Sequence, residues 1–350
     1  MRSQLHALPA RRRSRAARTV AIGMTIAVGA FGLTACAPTE PAPSESEGAA
    51  ATLDSLNIIV PADPGGGFDQ LGRTIESVVT GEDLAGSTQV TNIPGAGGTV
   101  GLASLANDQD PNTLFVTGLV TVGAVETNQS PTRLEDTTPI ARLTEEALVV
   151  VVPAESPYDS LEELVDDILE NGKDVSVTGG SAGGADNILA ALILKDAGAS
   201  ASDVNEKLNY IANAGGGEAV TLLLGNTVAA GISGVGEFVE HIEAGTLKAL
   251  AVSSAEPVDN LPGVETVQEA GYDVVLTNWR GVVAAGSVDD DEKAALTELV
   301  QSLYESDAWK AELETRGWTD AYLPSDEFEP FLTENIADIT ATLKDIGLID

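Results

Sequence analysis

The sequence predicts an α/β protein of two lobes joined by two crossing strands, and three observations carry that expectation. An apolar, β-branched run that enters a glycine turn and leaves as a helix of 3.6-residue period occurs four times. Two longer apolar runs, 143–152 and 274–284, are long enough to pass from one lobe to the other. The 350 residues, 43% of them hydrophobic, suffice for one large or two medium domains with a real core, which excludes general disorder.

The first unit runs from Leu56-Asn57-Ile58-Ile59-Val60 through Pro61 to Gly67 into a helix whose apolar face is Leu71, Ile75, Val78 and Val79. The second takes Gln89 to Asn92 through Pro94-Gly95-Ala96-Gly97-Gly98 into a helix from Thr99 to Ala106. After the first crossing run, Ser160 and Glu163 form a capping box that opens a helix ending at Asn171-Gly172. The third unit is Val175 to Thr178, the turn Gly179 to Gly184, and a helix from Asp186 to Ala197. The fourth is Asn209-Tyr210-Ile211, the turn Ala214-Gly215-Gly216-Gly217, and a helix from Glu218 to Leu224. The second crossing passes through Asn278-Trp279-Arg280, and two or three amphipathic helices follow with Leu296, Leu299, Leu303, Phe331, Ile336, Ile339 and Leu343 inward. Such units predict mostly parallel sheets, with the binding site in the cleft outside the strand ends.

Composition removes several functions. The 54 acidic residues outnumber the 18 basic ones, for a formal charge of −36, and six of the basic residues are arginines of the first 35. Such a surface repels phosphate backbones and anionic membranes, so neither nucleic acid nor a bilayer surface is an expected partner. Cys36 is the single thiol, and His6 and His241 are the two histidines. Intrachain disulfides, thiolate zinc sites and Cys/His pairs cannot be built from this set. A serine hydrolase would need His241, which lies on an acidic helix face, and no G-x-S-x-G turn is present. No catalytic residue, cofactor or metal is expected; Asp63, Asp69 and Asp186 fall in separate turns without a helper histidine.

The N-terminus reads as an address. Arg2, Arg11, Arg12, Arg13, Arg15 and Arg18 precede an uncharged run from Thr19 to Ala35, the order of a secretory signal and too short for a spanning helix. Leu33-Thr34-Ala35-Cys36 resembles a bacterial lipobox, which implies cleavage before a lipidated Cys36. The alternative is ordinary secretion with cleavage after Ala37. Residues 1–35 are then the signal peptide, and 36–54 a flexible tether rich in Ala, Pro, Ser and Glu.

A glycine turn at a helix N-terminus lets unpaired N–H groups point at one spot, with the positive end of the helix dipole behind them. Anions bind there without a cationic side chain. No turn contains G-x-x-x-x-G-K-[ST] or the third glycine of G-x-G-x-x-G, so a carboxylate fits better than a nucleotide. Hydrogen bonds to a charged group contribute about 1.5–3 kcal/mol each, enough for a micromolar site when both lobes donate. Asp69, Ser181, Asp186, Asn187 and Asn213 are the polar neighbours of these turns.

The passages VPADPGGGFD (60–69), NIPGAGGTVG (92–101), VTGGSAGGADN (177–187), NAGGGEAVTLLLG (213–225), GTLKALAVSS (245–254) and LPGVETVQEAG (261–271) occur in the order seen in one family. From about residue 55 onward the chain resembles the substrate-binding receptors of tripartite tricarboxylate transporters, the Bug type. That resemblance implies a periplasmic-binding-protein-like fold of two Rossmann-like lobes that close as a Venus flytrap. Residues 55–147 and 281–350 would form lobe 1, and 148–280 lobe 2. It implies a carboxylate held by Gly66, Gly67, Phe68 and Asp69 with Ala96, Gly97 and Gly98. Ser181, Gly183, Gly184, Asp186 and Asn187, with Gly215, Gly216 and Gly217, would contact the distal group. Many relatives carry histidine where this chain has Asn187, so distal specificity would differ. Arg280 is the nearest candidate for a charged clamp, with a structural ion pair as the competing role.

The function expected is that of an extracytoplasmic, lipid-anchored receptor for a small mono-, di- or tricarboxylate, an acidic amino acid or an aromatic acid. It would deliver this ligand to the large and small permease subunits of a tripartite transporter. A receptor for another importer class, such as an ABC system, is the alternative, and a secreted hydrolase the third reading.

Overall fold

The structure, a computed structural model, describes residues 53–213 and 215–350. The signal segment, Cys36 and the tether up to residue 52 lie outside the described residues. The described chain enters at Leu53, which bridges to Ala85.

The first three strand and helix pairs are β1 (Leu56–Val60) with α1 (Gly67–Gly81), β2 (Thr88–Asn92) with α2 (Thr99–Leu105), and β3 (Thr113–Gly118) with α3 (Leu119–Thr127). The first two match the glycine-turn units read from the sequence, and Leu71, Ile75, Val78 and Val79 are buried on α1. The third was not foreseen. All of β3 is buried and α3 is apolar nearly all round, so it carries no amphipathic stripe to reveal it.

The first crossing strand is β4 (Thr138–Pro153), 16 residues long. It leads through α4 (Leu161–Asn171) to β5 (Ser176–Gly179), α5 (Ala185–Asp196), α6 (Ala201–Lys207), β6 (Asn209–Ala212), α7 (Gly216–Leu224), β7 (Ala230–Gly234), α8 (Val235–Glu243) and β8 (Leu247–Val252). The Ser160 hydroxyl accepts the Glu163 N–H at 3.2 Å, but the Glu163 carboxylate reaches back to the N–H of Asp159, so the expected box closes one residue early. The chain returns along β9 (Thr277–Ala284) and ends with α9 (Asp290–Glu305), α10 (Asp307–Arg316), β10 (Thr319–Pro324) and α11 (Ser325–Asp345).

The strands form one curled sheet of order β2-β1-β3-β9-β4-β7-β5-β6, with β10 and β8 also pairing with β4. Residues Thr138 to Ala147 of β4 pair with β9, whereas Leu148 to Pro153 pair with β7 and β8. Two half-sheets thus share one strand. Parallel pairing, expected for most of the sheet, is confined to the outer strands β2-β1-β3 and β7-β5-β6. Every pair made by β4 and β9 is antiparallel, because a strand that crosses out and another that crosses back run in opposite directions.

The three buried clusters follow this plan. One fills the first half around Leu71, Trp309 and Trp318, one lies under α7 and α8, and the largest joins the halves through Phe115, Leu148, Val150 and Ile188. Helix α11 straddles it: the Ser325 hydroxyl donates to the Pro139 carbonyl on β4 at 2.6 Å, while the Asn205 amide of α6 donates to the Gly347 carbonyl beyond the helix end. Phe115 is fully buried on β3. Phe115→Ala is expected to cost about 3–5 kcal/mol of stability, checked by urea unfolding with an unchanged slope.

Candidate functional site

Four helices that start at the cleft differ in how they begin from four that start elsewhere. Helices α1, α2, α5 and α7 have Gly66, Gly98, Gly184 and Gly215 as N-caps and no side-chain capping bond. Helices α4, α6, α9 and α10 start at Ser160, Ser200, Asp289 and Ser306, each of which caps with its side chain. Glycine therefore leaves the first-turn N–H groups to whatever lies in front of the helix, where serine or aspartate would have taken one.

Two adjoining cavities lie where these helices converge, sharing Ser181. The smaller, about 50 Å³, is lined by Ala62, Gly66, Gly67, Phe68, Val120, Gly180, Ser181, Asp186, Gly215, Gly216, Ser233, Glu237, Asn278 and Arg280. The larger, about 270 Å³, is lined by Pro61, Gly95, Ala96, Gly97, Asn128, Ser181, Ala182, Ala212 and Asn213. The structure thus brings together Gly66, Gly67, Phe68, Ala96, Gly97, Ser181, Asp186, Gly215 and Gly216 of the residues singled out in the sequence. Gly98, Gly183, Gly184 and Gly217 do not line either cavity.

Asp69 and Asn187 also turn away from the cavities to brace their own loops. The Asp69 carboxylate accepts from the Gly65 N–H, the Asn92 amide and the Arg73 guanidinium, at 2.8, 2.8 and 2.9 Å. Burial opposes ionisation of Asp69, but the bonds from Arg73, Asn92 and Gly65 outweigh it and hold the carboxyl below its usual range. Asn187 accepts the Gly183 N–H at 3.0 Å, and the Asn213 amide ties the end of β6 to Thr178 and Gly179 of β5.

The charged floor of the smaller cavity was not foreseen as a unit. Arg280, on β9, pairs with Glu146, on β4, at 2.7 Å, and both side chains are nearly fully buried. The other Glu146 oxygen accepts the Gly236 N–H in the first turn of α8 at 2.7 Å. One residue on, Glu237 accepts the Gly67 N–H of α1 at 3.1 Å and takes a short bond from the Ser233 hydroxyl. One of the amides expected to hold a ligand is therefore engaged by a carboxylate of the protein itself. A Cβ on Gly67 would come within 2.8 Å of the Arg280 guanidinium carbon, so any side chain there would push the guanidinium from its place beside Glu146.

The signal for Glu237 was present in the sequence. Ile232-Ser233-Gly234-Val235-Gly236 is a fifth strand, glycine turn and helix start, and an acid in the first helical turn is favoured by the dipole. Arg280 makes the structural ion pair weighed for it and also lines the cavity. His241 sits in the last turn of α8 and lines neither cavity.

Burial pushes Asp186 up to about 7, against the Gly180 N–H that it accepts at 2.6 Å, and nearby Glu237 adds to the rise. Glu237 is also raised, first by burial and then by Glu146, with Ser233 and Arg280 opposing. Among the described residues no group of three or more His, Cys, Asp or Glu side chains is arranged to hold a metal ion.

A two-lobed α/β receptor, with its cleft between half-sheets that share a crossing strand, is the class this fold and site define. The description "Tripartite tricarboxylate transporter family receptor" matches residues 73–348, and the chain belongs to that family. It is 28% identical to protein BugT of Bordetella pertussis over 298 residues, 83% of this chain and 89% of that protein. Among solved structures it superposes on MatC of Rhodopseudomonas palustris with bound malate at a TM-score of 0.73 and 21% identity, covering 83% of this chain and 98% of MatC. It superposes on R. palustris Rpa4515 with adipate at 0.75 and 18% identity, covering 84% of this chain and 97% of that one. The fold of this chain is shared with both structures.

Two expectations follow from the charged floor. The folded-state value of Asp186 lies above its unfolded one, so its contribution to stability is full below about pH 4 and is lost as pH rises through about 7. Asp186→Asn should flatten the loss of stability between pH 5 and 8, by about 2–3 kcal/mol, in urea unfolding followed across that range. Arg280→Met leaves Glu146 buried without its cation and should cost about 3–5 kcal/mol at pH 7, most of it recovered in the double variant Arg280→Met, Glu146→Gln.

Proposed function

We infer that the protein is an extracytoplasmic receptor that captures a small organic carboxylate between its two lobes and hands it to the large and small permease subunits of a tripartite tricarboxylate transporter. Lobe 1 is residues 55–147 and 281–350, and lobe 2 is 148–280. A lipidated Cys36 and a tether to residue 54 hold the receptor at the membrane surface, close to the permease.

The observation that carries this reading is the meeting of four glycine turns, far apart in sequence, on two adjoining cavities, with their helices starting free of side-chain caps. The larger cavity has no acidic side chain among the described residues of its wall, so an anion there meets only backbone, Asn128, Ser181 and Asn213. That neutral, amide-lined chamber presents no like charge to an organic acid entering the cleft. The malate and adipate bound by MatC and Rpa4515 support an organic acid as the ligand class.

Ligand acts by touching both lobes and so favouring the closed state, which the permease reads. Closure brings backbone against backbone: a Cβ on Gly123 of α3 would lie 3.0 Å from the Gly183 carbonyl carbon in the facing lobe. Thermal shift of the purified protein against a library of organic acids tests the reading. A binder at 100 times its Kd is expected to add about 2.7 kcal/mol. No response to any acid beside a clear response to sugars or cations refutes it. Gly123→Ala is expected to weaken the responding acid at least about tenfold in calorimetry, because the added methyl props the cleft open.

A further inference from the structure

We propose that the solute carries a cationic amine beside its carboxylate, the amine seated in the smaller cavity among Asp186, Glu237 and Asn278. This rests on the reading of the cleft as a carboxylate site and narrows it to amino acids and related amino-carboxylates.

The argument begins with the sign of the charge. Arg280 is matched by Glu146 at 2.7 Å, which leaves Asp186 and Glu237 in the same wall with no cationic side chain of their own. What they accept instead are neutral donors: the N–H of Gly180 for Asp186, and the N–H of Gly67 with the hydroxyl of Ser233 for Glu237. A plain carboxylate seated here would bring another anion against two buried acids, at a low local dielectric where like charges repel strongly. An ammonium reverses that sign.

Unpartnered atoms supply an independent indication. Asn278 is 5% exposed and lines the cavity, and its Oδ1 has no hydrogen-bond partner. Arg280 is 2% exposed and its Nη1 is likewise without a partner. Buried polar atoms are mostly hydrogen-bonded to protein or water, and these two stand together in the wall of one cavity, where a solute can reach them. An ammonium has three N–H donors, and Asn278 Oδ1 with the two carboxylates offers the three acceptors. Nη1 is then a donor for an oxygen of the carboxylate next to that amine. A dicarboxylate with neither amine nor hydroxyl would use Nη1 but leave Asn278 Oδ1 unsatisfied, and a hydroxyl would satisfy Oδ1 but bring no charge to offset the two carboxylates. Size agrees, since about 50 Å³ holds a head group while the chain of the ligand extends into the 270 Å³ chamber.

Matched sets of acids test this on the purified full-length protein by calorimetry at pH 7.5: succinate, malate and aspartate; glutarate and glutamate; 4-methylpentanoate and leucine; 3-phenylpropanoate and phenylalanine. The expected result is that, in whichever set binds, the amine-bearing member binds at least about tenfold tighter than its amine-free partner. Equal or tighter binding of the amine-free acid, or of malate over aspartate, overturns the inference while leaving the carboxylate reading standing. Binding by no acid of either kind removes the carboxylate reading and this inference together. Glu237→Gln and Asp186→Asn are expected to shrink the amine preference of the responding set, and an unchanged preference in both variants counts against the seat proposed for the amine. The preference in the unmodified protein is decisive even where a variant folds poorly.

Discussion

Two buried charges in contact, Arg280 and Glu146, determine how the rest of the cleft is arranged. They stand on β9 and β4, the antiparallel pair at the centre of the sheet. Removing two ions from water costs several kcal/mol each, and only mutual attraction with further hydrogen bonds offsets that cost. Glu146 therefore also takes the Gly236 N–H, which fixes the start of α8 and sets Glu237 one residue beyond. Glu237 in turn reaches the N-terminus of α1 at Gly67, whose missing side chain is what lets α1 lie against Arg280. One ion pair thus registers strands, two helix N-termini and both lobes against each other.

The turns of the site were legible in the sequence because glycine turn chemistry is local. A strand of β-branched residues, a glycine run and a helical period can be read within about 25 residues, and β1–α1, β2–α2, β5–α5 and β6–α7 follow that reading closely. The polar partners were less legible. Asp69 and Asn187 stand beside the correct turns, yet each is spent on its own loop, a choice that depends on Asn92, Arg73 and Gly183 lying in reach. Glu146, Glu237 and Arg280 come from three distant segments, and nothing in their spacing says that they meet. The direction of strand pairing was also hidden, since it follows from the crossing strands and not from the pattern within any unit.

Net charge and local charge answer different questions here. The formal −36 describes a surface that is screened within about 8–10 Å at physiological ionic strength. The cleft is governed instead by atoms at contact distance, and within it the two cavities differ. One is walled by backbone, asparagine and serine, the other holds one guanidinium among carboxylates. A site built only of amides would treat every small acid alike. The titratable side chains beneath one end make that end of the cleft chemically unlike the other.

The position of β9 in the sheet has a consequence for synthesis. It lies between β3 and β4, although it follows them by more than 120 residues in the chain. A chain that emerges from its N-terminus cannot complete its first half-sheet until residue 284 has appeared, and α9 and α10 must still follow to cover that core. Closure of the first half-sheet onto the crossing pair therefore waits for the C-terminal part of the chain, long after its outer strands β2, β1 and β3 have been made.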